Sequence, residues 1–532
     1  MLSFPYFSRR VLLSLLAVIL AANCLGAYQS SGPSPLTADV RAALDRISAD
    51  SLRGHLSFIA SDLLEGRNTP SPGLDMAAEY IAAQFRRAGL EPAGDDGYFQ
   101  TATWSISERR LIGLELTLKS GNQEVNATSN QLSFTFNQSL TLGAKPVIKV
   151  DFKDAAALEA LTSAQVEGKA VLTEMPDLNR LDQAQRGEAR RSQNEFLSKL
   201  SALKPALVVS IDRNNPTANN AVPGRLIDPE NRQNSPGNRG NNATNQTVPV
   251  ITLHAPGAMS IYDALKPGVT AATISVQVPA PEEKSIKLRN VVGLLRGSDP
   301  VLKDTYVLVT AHYDHIGMRP TGEGDRIFNG ANDDGSGTVS VIELASALAT
   351  LKERPKRSIV FMTFFGEEKG GLGSRYYGRH PIFPIEKTVA DINLEQVGRT
   401  DSSEGPQIAN ASMTGFDYSD MGPIFQAAGE LTGIKVYKHE RNSDAFFSRS
   451  DNQSLADQGV PAHTLCVAFV YPDYHGLGDH WEKVDYVNMA KVDRMVGLSL
   501  VMIANNPREP KWNEANPRTE RYVKAWKDRH GK

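Results

Sequence analysis

The sequence predicts an α/β protein in which a mostly parallel, mixed sheet is sandwiched by helices, with an inserted β-rich domain. From residue 286 onward, apolar runs of strand length alternate with segments of helical period, which is typical of a sheet covered on both faces. Residues 106–285 show short alternating strands instead. The length of 532 residues suggests two to four domains.

Residues 1–27 predict a signal peptide that is removed on export. Arg9 and Arg10 precede the apolar run 11–22, which is shorter than the roughly 18 to 20 residues that span a bilayer. The paired arginines also fit a twin-arginine signal, whereas Cys24 lacks the small preceding residue of a lipoprotein signal. We therefore expect an exported protein, periplasmic or secreted, without stable membrane insertion after removal of the signal.

The main domain is expected to begin with residues 38–105, where the apolar pattern is helical. Residues such as Ile81 and Phe85 recur with helical spacing over 75–88, and Gly89 fits a helix C-cap. The inserted β-rich domain follows over 106–285. Its clearest predicted strands are 114–118, 147–152 and 206–211. It also contains an Asn-, Pro- and Gly-rich loop, 213–247, which is expected to be a mobile surface excursion.

Residues 286–505 are expected to complete the main domain. Its predicted strands are 306–311, 358–365, 389–394 and 462–470, and its predicted helices are 338–351, 421–431 and 489–504. The tail 506–532 is polar and is expected to be a solvated extension.

Composition excludes several classes of partner. The 57 basic and 60 acidic side chains leave a net charge of −3, so electrostatics alone would not recruit nucleic acid or an anionic membrane. Two cysteines cannot form a disulfide framework, and Cys466 lies in an apolar run and is expected in the core. The oligomeric state is left open.

Chemically active residues cluster just past the predicted strand ends, where open α/β sheets collect their ligands. In chain order they are His312, Asp314 and His315, then Asp333 in the glycine-rich turn 329–337, then Glu367 and Glu368, then Glu395, and finally Tyr474 and His475. Each group alone has an ordinary structural explanation, such as a helix cap or a solvated loop. Their shared position at strand ends favours one common site.

The negative charge of the predicted site indicates a metal centre. Asp333, Glu368 and Glu395 would place three negative charges in one pocket, and Lys369 is the only cation directly beside them in sequence. Two Zn²⁺ ions and one bridging hydroxide would make the site neutral. Imidazole and carboxylate ligands suit catalytic zinc, with Asp333 shared between the ions. Asp314 has the spacing to orient the imidazole of His312.

The ordered motifs resemble the co-catalytic zinc aminopeptidase family, which also includes plasma glutamate carboxypeptidase, glutaminyl cyclase and the transferrin receptor. The resemblance covers about 40–105 and 286–505 and includes the stretches 60–67 and 446–459. It implies a fold of the zinc exopeptidase type, with a protease-associated domain inserted at 106–285.

The resemblance also implies individual roles. His312 and Glu395 would hold one zinc, Glu368 and His475 the other, Asp333 would bridge both, Glu367 would be the general base and Asp314 would orient His312. It further implies a cis peptide bond after Asp333. Tyr474 is a candidate hydroxyl donor to the oxyanion.

Three positions depart from the family pattern. Glu395 stands where the family usually has Asp, and Asp391 is a rival ligand four residues upstream. Asn452 follows Asp451 where a histidine is common, and Gly476 stands where Thr is common. The last two departures are expected to affect substrate selectivity rather than catalysis.

The sequence therefore predicts a zinc exopeptidase, most simply an aminopeptidase that removes N-terminal residues from peptides with a free N-terminus. A glutaminyl cyclase-like acyltransferase and a catalytically silent binding protein are the alternatives. The absence of G-x-S-x-G and H-E-x-x-H disfavours serine hydrolases and helix-borne zinc proteases. Side-chain preference is expected to depend on loops such as 413–419 and 444–454.

Overall fold

The computed structural model describes residues 34–134, 136, 138–218, 224–232, 248–320 and 322–531. The predicted signal peptide and much of the predicted mobile loop lie outside these residues. The chain forms two compact units. The first takes its residues from Met1–Gln100, Arg289–Arg319 and Glu323–Lys532, and the second from Thr101–Leu288 and Pro320–Gly322.

A mixed sheet forms the centre of the first unit. Seven of its ten strands are β1 (Glu282–Leu295), β2 (Tyr306–His312), β3 (Ser358–Phe364), β4 (Thr388–Leu394), β5 (Asn410–Met413), β6 (Lys435–Tyr437) and β7 (Ala462–Cys466). They are ordered β6-β5-β7-β4-β2-β3-β1. The central strands β7, β4, β2 and β3 are parallel, whereas β1 is antiparallel to β3 and β5 is antiparallel to β7.

Helices cover both faces of this sheet. The main ones are α1 (Ala38–Leu44), α2 (Ala49–Ile59), α3 (Pro72–Ala88), α4 (Gly337–Leu348), α5 (Leu372–Arg379), α6 (Met421–Thr432), α7 (Tyr486–Asn505) and α8 (Glu520–Arg529). Alternate residues of β3 face opposite sides. Phe361 packs against Phe85 of α3, whereas Met362 joins the apolar cluster that contains Tyr377 of α5. The predicted fold class is thus confirmed.

The predicted helix at 75–88 begins earlier than expected. Helix α3 starts at Pro72, because the hydroxyl of Ser71 accepts a hydrogen bond from the amide of Leu74 and caps the first turn. It ends where predicted, at Gly89, whose φ of 77° is in the left-handed region.

Two expectations for the end of the chain are wrong. Strand β7 ends at Cys466, so 467–470 is not strand. The tail after 505 is not a solvated extension, because its aromatic residues pack on the first unit. Trp512 and Tyr522 are buried in the same apolar cluster as Met362, and the indole of Trp512 donates to the carbonyl of Gly459 at 2.8 Å.

The second unit is built on an eight-stranded mixed sheet. In sheet order its strands are Gln123–Thr128, Glu115–Ser120, Gly268–Val278, Leu140–Lys149, Ala170–Thr173, Leu207–Ile211, Val250–Leu253 and Leu132–Phe134. It also contains the helix Gln183–Ala202, which the sequence patterns did not predict. Within the predicted mobile loop, the strand Arg225–Ile227 pairs with Ser105–Ser107. Identification of this unit as a protease-associated domain stays a prediction.

No helix in the described part of the chain has both the length and the apolar character needed to cross a membrane. Cys466 is buried with a free thiol, as expected.

Candidate metal centre

The carboxyl ends of three neighbouring strands bring the predicted site residues to one edge of the sheet. Strand β2 lies between β3 and β4 and is parallel to both. It ends at His312, β3 ends shortly before Glu367 and Glu368, and β4 ends next to Glu395. The turn that carries Asp333 leads from this edge into α4.

The predicted metal ligands converge at this edge. Two sets of three residues each place one ligand atom per residue within 4.8 Å of the others, namely His312, Asp333 and Glu395, and His315, Asp333 and Glu368. The fifth predicted ligand also lies here, because Nε2 of His475 is 3.1 Å from Oδ2 of Asp333 and 3.4 Å from Oε2 of Glu368. Thus the structure gathers all five predicted ligands and adds His315.

The polar atoms of this centre fit a bound zinc ion. Among the residues described, Nε2 of His312, both ring nitrogens of His315 and Oε1 of Glu368 are buried without a hydrogen-bond partner. Each such atom costs about 1 to 3 kcal/mol when left unpartnered. Metal coordination would remove that cost, and imidazole and carboxylate groups are the ligands of catalytic zinc.

The electrostatics of the centre are those of a site for a cation. Contact with the carboxylates of Asp333 and Glu368 raises the pKa of His475 to about 10. Burial, with Asp333 adding to it, raises the pKa of Glu395 to about 7. Nearby negative charge contributes to both shifts, and a divalent cation would offset that charge.

Asp334 holds together the three segments that carry the ligands. Its carboxylate accepts hydrogen bonds from the amides of His312 at 3.2 Å, Gly337 at 3.1 Å and Gln396 at 3.2 Å. The peptide bond between Asp333 and Asp334 is cis, as the resemblance implies. Asp334 therefore fixes the backbone on both sides of the metal centre without being a ligand.

A second carboxylate fixes the turn before Asp333. Asp479 accepts hydrogen bonds from the amides of Asn332 and Asp333, and the side-chain oxygen of Asn332 accepts from the amides of Gly398 at 2.8 Å and Arg399 at 2.9 Å. The sequence patterns did not identify this support, because it depends on contacts between residues far apart along the chain.

Arg67 is a second support of the site whose role the sequence did not reveal. Its side chain is completely buried and donates to four backbone carbonyls at 2.6 to 2.9 Å, those of Ile59, Tyr313, Asn329 and Gly330. Burial lowers the pKa of Arg67 to about 10, although Asp314 and other nearby acids oppose the shift. The motif at 60–67 was the available signal, but it gave no role to the arginine.

Asp314 lies where an orienting group for His312 would be. Nδ1 of His312 is 3.2 Å from the carbonyl oxygen of Asp314 and 3.5 Å from its Oδ1, which leaves Nε2 on the side of Asp333. The carboxylate of Asp314 also accepts hydrogen bonds from the hydroxyl of Thr69 and from the amide of Glu367. Asp314 thereby connects the first ligand to the predicted base.

Glu367 belongs to neither ligand set. Burial raises the pKa of its carboxyl well above the usual range, and the charged groups acting on it include His312, Glu395 and Glu368. A carboxyl beside the ligands but outside both sets is free to exchange a proton with a reacting group.

Tyr474 and His475 form the open side of the centre. Their rings stack with centroids 4.1 Å apart, and Tyr474 is 43% exposed. The backbone of His475 has a φ of 53°, in the left-handed region, and this uncommon conformation determines the direction of the turn that carries its side chain. Burial, together with the carboxylate of Asp333, raises the pKa of the Tyr474 hydroxyl, which stays a protonated hydrogen-bond donor.

The structure describes the surroundings of two of the three departures from the family pattern, those at Glu395 and Asn452. Asp391 is in neither ligand set; it is buried within β4, where its carboxylate accepts from the hydroxyl of Thr310 at 3.0 Å. Glu395 is the acid of β4 that joins a ligand set. Asn452 is a structural residue, since its side chain bonds the carbonyl of Phe447 and the hydroxyl of Thr464.

Known proteins resemble this chain most clearly in the second part of the first unit. Residues 290–499 match the model of Peptidase family M28. A probable zinc metalloprotease of Pyrenophora teres f. teres is 36% identical over 135 residues, which are 24% of this chain and 28% of that protein. Aminopeptidase YwaD of Bacillus subtilis is 32% identical over 111 residues, which are 21% of this chain and 22% of that protein.

The solved structure of BSAP, a zinc aminopeptidase from Bacillus subtilis, aligns with 86% of this chain and 96% of its own at 18% identity and a TM-score of 0.48. The sequence matches span little more than a quarter of the curated relatives, so the activity of the whole protein is treated below as a proposal. The matched stretch contains the strands and the ligands described above. The segment 290–499 thus matches Peptidase family M28, and the predicted resemblance to zinc aminopeptidases is confirmed.

Proposed function

We propose that this protein is an aminopeptidase that uses two zinc ions to remove N-terminal residues from peptides. The observation that carries the proposal is the shared carboxylate: Asp333 belongs to both ligand sets. A carboxylate between two sets of ligands is what a two-metal hydrolytic centre requires, with ions about 3.5 to 4 Å apart. Zinc bound there would acidify a water molecule and polarise the scissile carbonyl.

Glu367 is the proposed general base. Its raised pKa suits a group that takes a proton from water and later gives it to the departing amine. Asp314 accepts a hydrogen bond from the amide of Glu367 at 2.9 Å, so the base and the orienting acid have a fixed spacing. The hydroxyl of Tyr474 is the proposed donor to the oxyanion, because it is protonated and stands on the open side of the centre.

The carboxyl groups of Glu367 and Asp314, which lie outside both ligand sets, support recognition of a free N-terminus. A protonated α-amine is attracted by carboxylates, whereas a blocked terminus lacks that charge. We therefore propose peptides with a free N-terminus as substrates.

We also propose export to the periplasm or the medium, which N-terminal sequencing of the mature protein would test.

A panel of aminoacyl p-nitroanilides and their N-acetylated counterparts tests the activity, with and without a chelator and added zinc. We expect zinc-dependent release from the free aminoacyl substrates alone. Preferred hydrolysis of blocked substrates would overturn the exopeptidase proposal. Conversion of glutaminyl peptides to pyroglutamyl peptides without hydrolysis would favour the cyclase alternative. A zinc-loaded protein without turnover would favour the binding protein.

A further inference from the structure

His315 is an unexplained buried imidazole at the metal centre. Its side chain is fully buried, and neither ring nitrogen has a hydrogen-bond partner within the described residues. Nδ1 nevertheless lies only 2.7 Å from Oε1 of Glu368, which also lacks a partner. The two atoms are close without the alignment of a hydrogen bond. Such geometry is expected when both atoms point toward a common third position.

Around His475, the spacing of polar atoms matches that of ligands around one zinc. Zinc bonds of about 2.0 to 2.2 Å in a tetrahedral site place neighbouring ligand atoms about 3.3 to 3.6 Å apart. The His475 contacts of 3.1 and 3.4 Å to Asp333 and Glu368 are close to this value, whereas the contact of 2.7 Å between His315 and Glu368 is shorter, so these two atoms would separate slightly around a bound ion. The rings of His315 and His475 lie with centroids 5.8 Å apart, so both fit beside the same pair of carboxylates.

The fold fixes the ring of His315 in this position. The amide of His315 donates to the carbonyl of Arg67 at 3.2 Å, and the ring packs directly on the backbone of Gly330. A Cβ on Gly330 would lie 2.4 Å from Cγ of His315, so no other residue type leaves room for the ring. An imidazole held this firmly without a partner is prepared for a ligand that binds later.

From these contacts we infer that His315 is a direct ligand of the zinc held by Glu368 and His475. This inference rests on the proposed two-zinc function and deepens it. The ion would have four protein ligands, His315, Asp333, Glu368 and His475, whereas the other would have three, His312, Asp333 and Glu395. The first site would be closed, and the second would keep a position for water or substrate. The centre would therefore be asymmetric, with one ion held more tightly than the other.

Zinc titration of the metal-free protein against a chromophoric chelator tests the inference without measuring activity. The unaltered protein should bind two ions. His315→Ala should weaken the tighter one more than 100-fold, which exceeds the 10- to 100-fold loss typical of a group that only orients a ligand. A loss of 100-fold or less would overturn the inference and make His315 a positioning residue. X-ray absorption of the zinc-loaded protein should show three imidazoles for each pair of ions; two would also overturn it.

His463→Gln is the matched control. His463 is an equally buried imidazole of the same unit, but its nitrogens bond Ser419 and the carbonyl of Thr414, so this variant should keep both ions. Thermal unfolding of each metal-free variant shows whether it folds. The outcome is separable from that of the proposed function: three imidazoles without peptide hydrolysis would reject the activity alone, and hydrolysis with two imidazoles would reject only the role of His315.

Discussion

Two clusters of buried acids in the first unit compensate their charge in different ways. At the strand ends, Asp333, Glu368 and Glu395 stand among imidazoles whose ring nitrogens partly lack hydrogen bonds. Between α2, α4 and α7, the second cluster contains Glu343 and Asp493, both buried. We call these the strand-end cluster and the helix cluster.

In the helix cluster, Glu343 is satisfied by hydrogen bonds, whereas Asp493, whose carboxyl oxygens have no hydrogen-bond partner among the described residues, is neutralised by a proton. Glu343 accepts from the hydroxyl of Ser51 at 2.5 Å and lies 3.1 Å from Nε2 of His55, whose Nδ1 is 2.8 Å from the hydroxyl of Tyr80. Burial raises the pKa of Asp493 to about 8, so this carboxyl is largely protonated near neutral pH. The comparison teaches that buried acids alone do not mark a metal site. A metal site is indicated instead when imidazole nitrogens and carboxylate oxygens that lack hydrogen-bond partners point toward the same position.

Removal of metal should separate the two clusters most strongly. Dialysis against a chelator should lower peptide hydrolysis at least about 1000-fold, because the chemistry of the strand-end cluster depends on its cations. Added zinc should restore the rate, as measured with an aminoacyl p-nitroanilide. The helix cluster needs no ion, so the pH dependence of its stability should persist after dialysis. Undiminished hydrolysis by protein shown to be metal-free would contradict the distinction.

Substitution of Glu367 by Gln should lower kcat by about 100- to 10,000-fold, since the amide cannot accept the proton of the attacking water. Glu367 is outside both ligand sets, so the zinc content measured by elemental analysis should not change. The exposed Glu323→Gln is the matched control and should behave like the unaltered protein. A metal-replete Glu367→Gln enzyme with normal turnover would reject Glu367 as the base.

Substitution of Arg67 by Lys should lower the free energy of unfolding by about 3 kcal/mol, because an ammonium group cannot serve four fixed carbonyls and leaves some of them unpartnered. Denaturant unfolding measures the change. Arg53→Lys, at a half-exposed side chain, is the control and should cost little. An equal effect of the two substitutions would show that Arg67 does not support the strand-end cluster.

The smallest expected effect is that of Asp493→Asn, and it depends on pH. The pKa of Asp493 is about 8 in the folded protein but about 3.9 in the unfolded chain, so the folded protein binds the extra proton and stability falls as pH rises between these values. Asparagine removes this loss. Urea unfolding should show the two proteins equally stable near pH 4 and the variant increasingly the more stable as pH rises toward 8. A difference independent of pH would contradict the assignment of the proton.

The sequence predicted those parts of the molecule that depend on local pattern. Strands β2, β3 and β4 are apolar runs that end in polar residues, so both the sheet and the position of Glu395 and His312 at its edge followed from the pattern. The choice of Glu395 over Asp391 came from the family resemblance rather than from the pattern, because both side chains are compatible with one face of a regular strand, and Glu395 is the one that joins a ligand set.

Features that depend on distant contacts were not predictable from one sequence. His315 is three residues after the predicted ligand His312 and one after Asp314, and the pattern gave no reason to choose it. Arg67 meets its carbonyl partners only in the folded unit. The helix Gln183–Ala202 has little apolar periodicity, and the tail after 505 packs through isolated aromatic residues such as Trp512.

The carboxylate of Asp334 offers a direct probe of how the centre assembles. This carboxylate accepts hydrogen bonds from the amides of His312, Gly337 and Gln396. These amides belong to segments that approach one another only in the folded unit. Because one group holds all three, a single opening event should release them together, and their exchange with deuterated solvent should share one rate. Slowing of that common rate when zinc is added would then report occupancy of the centre.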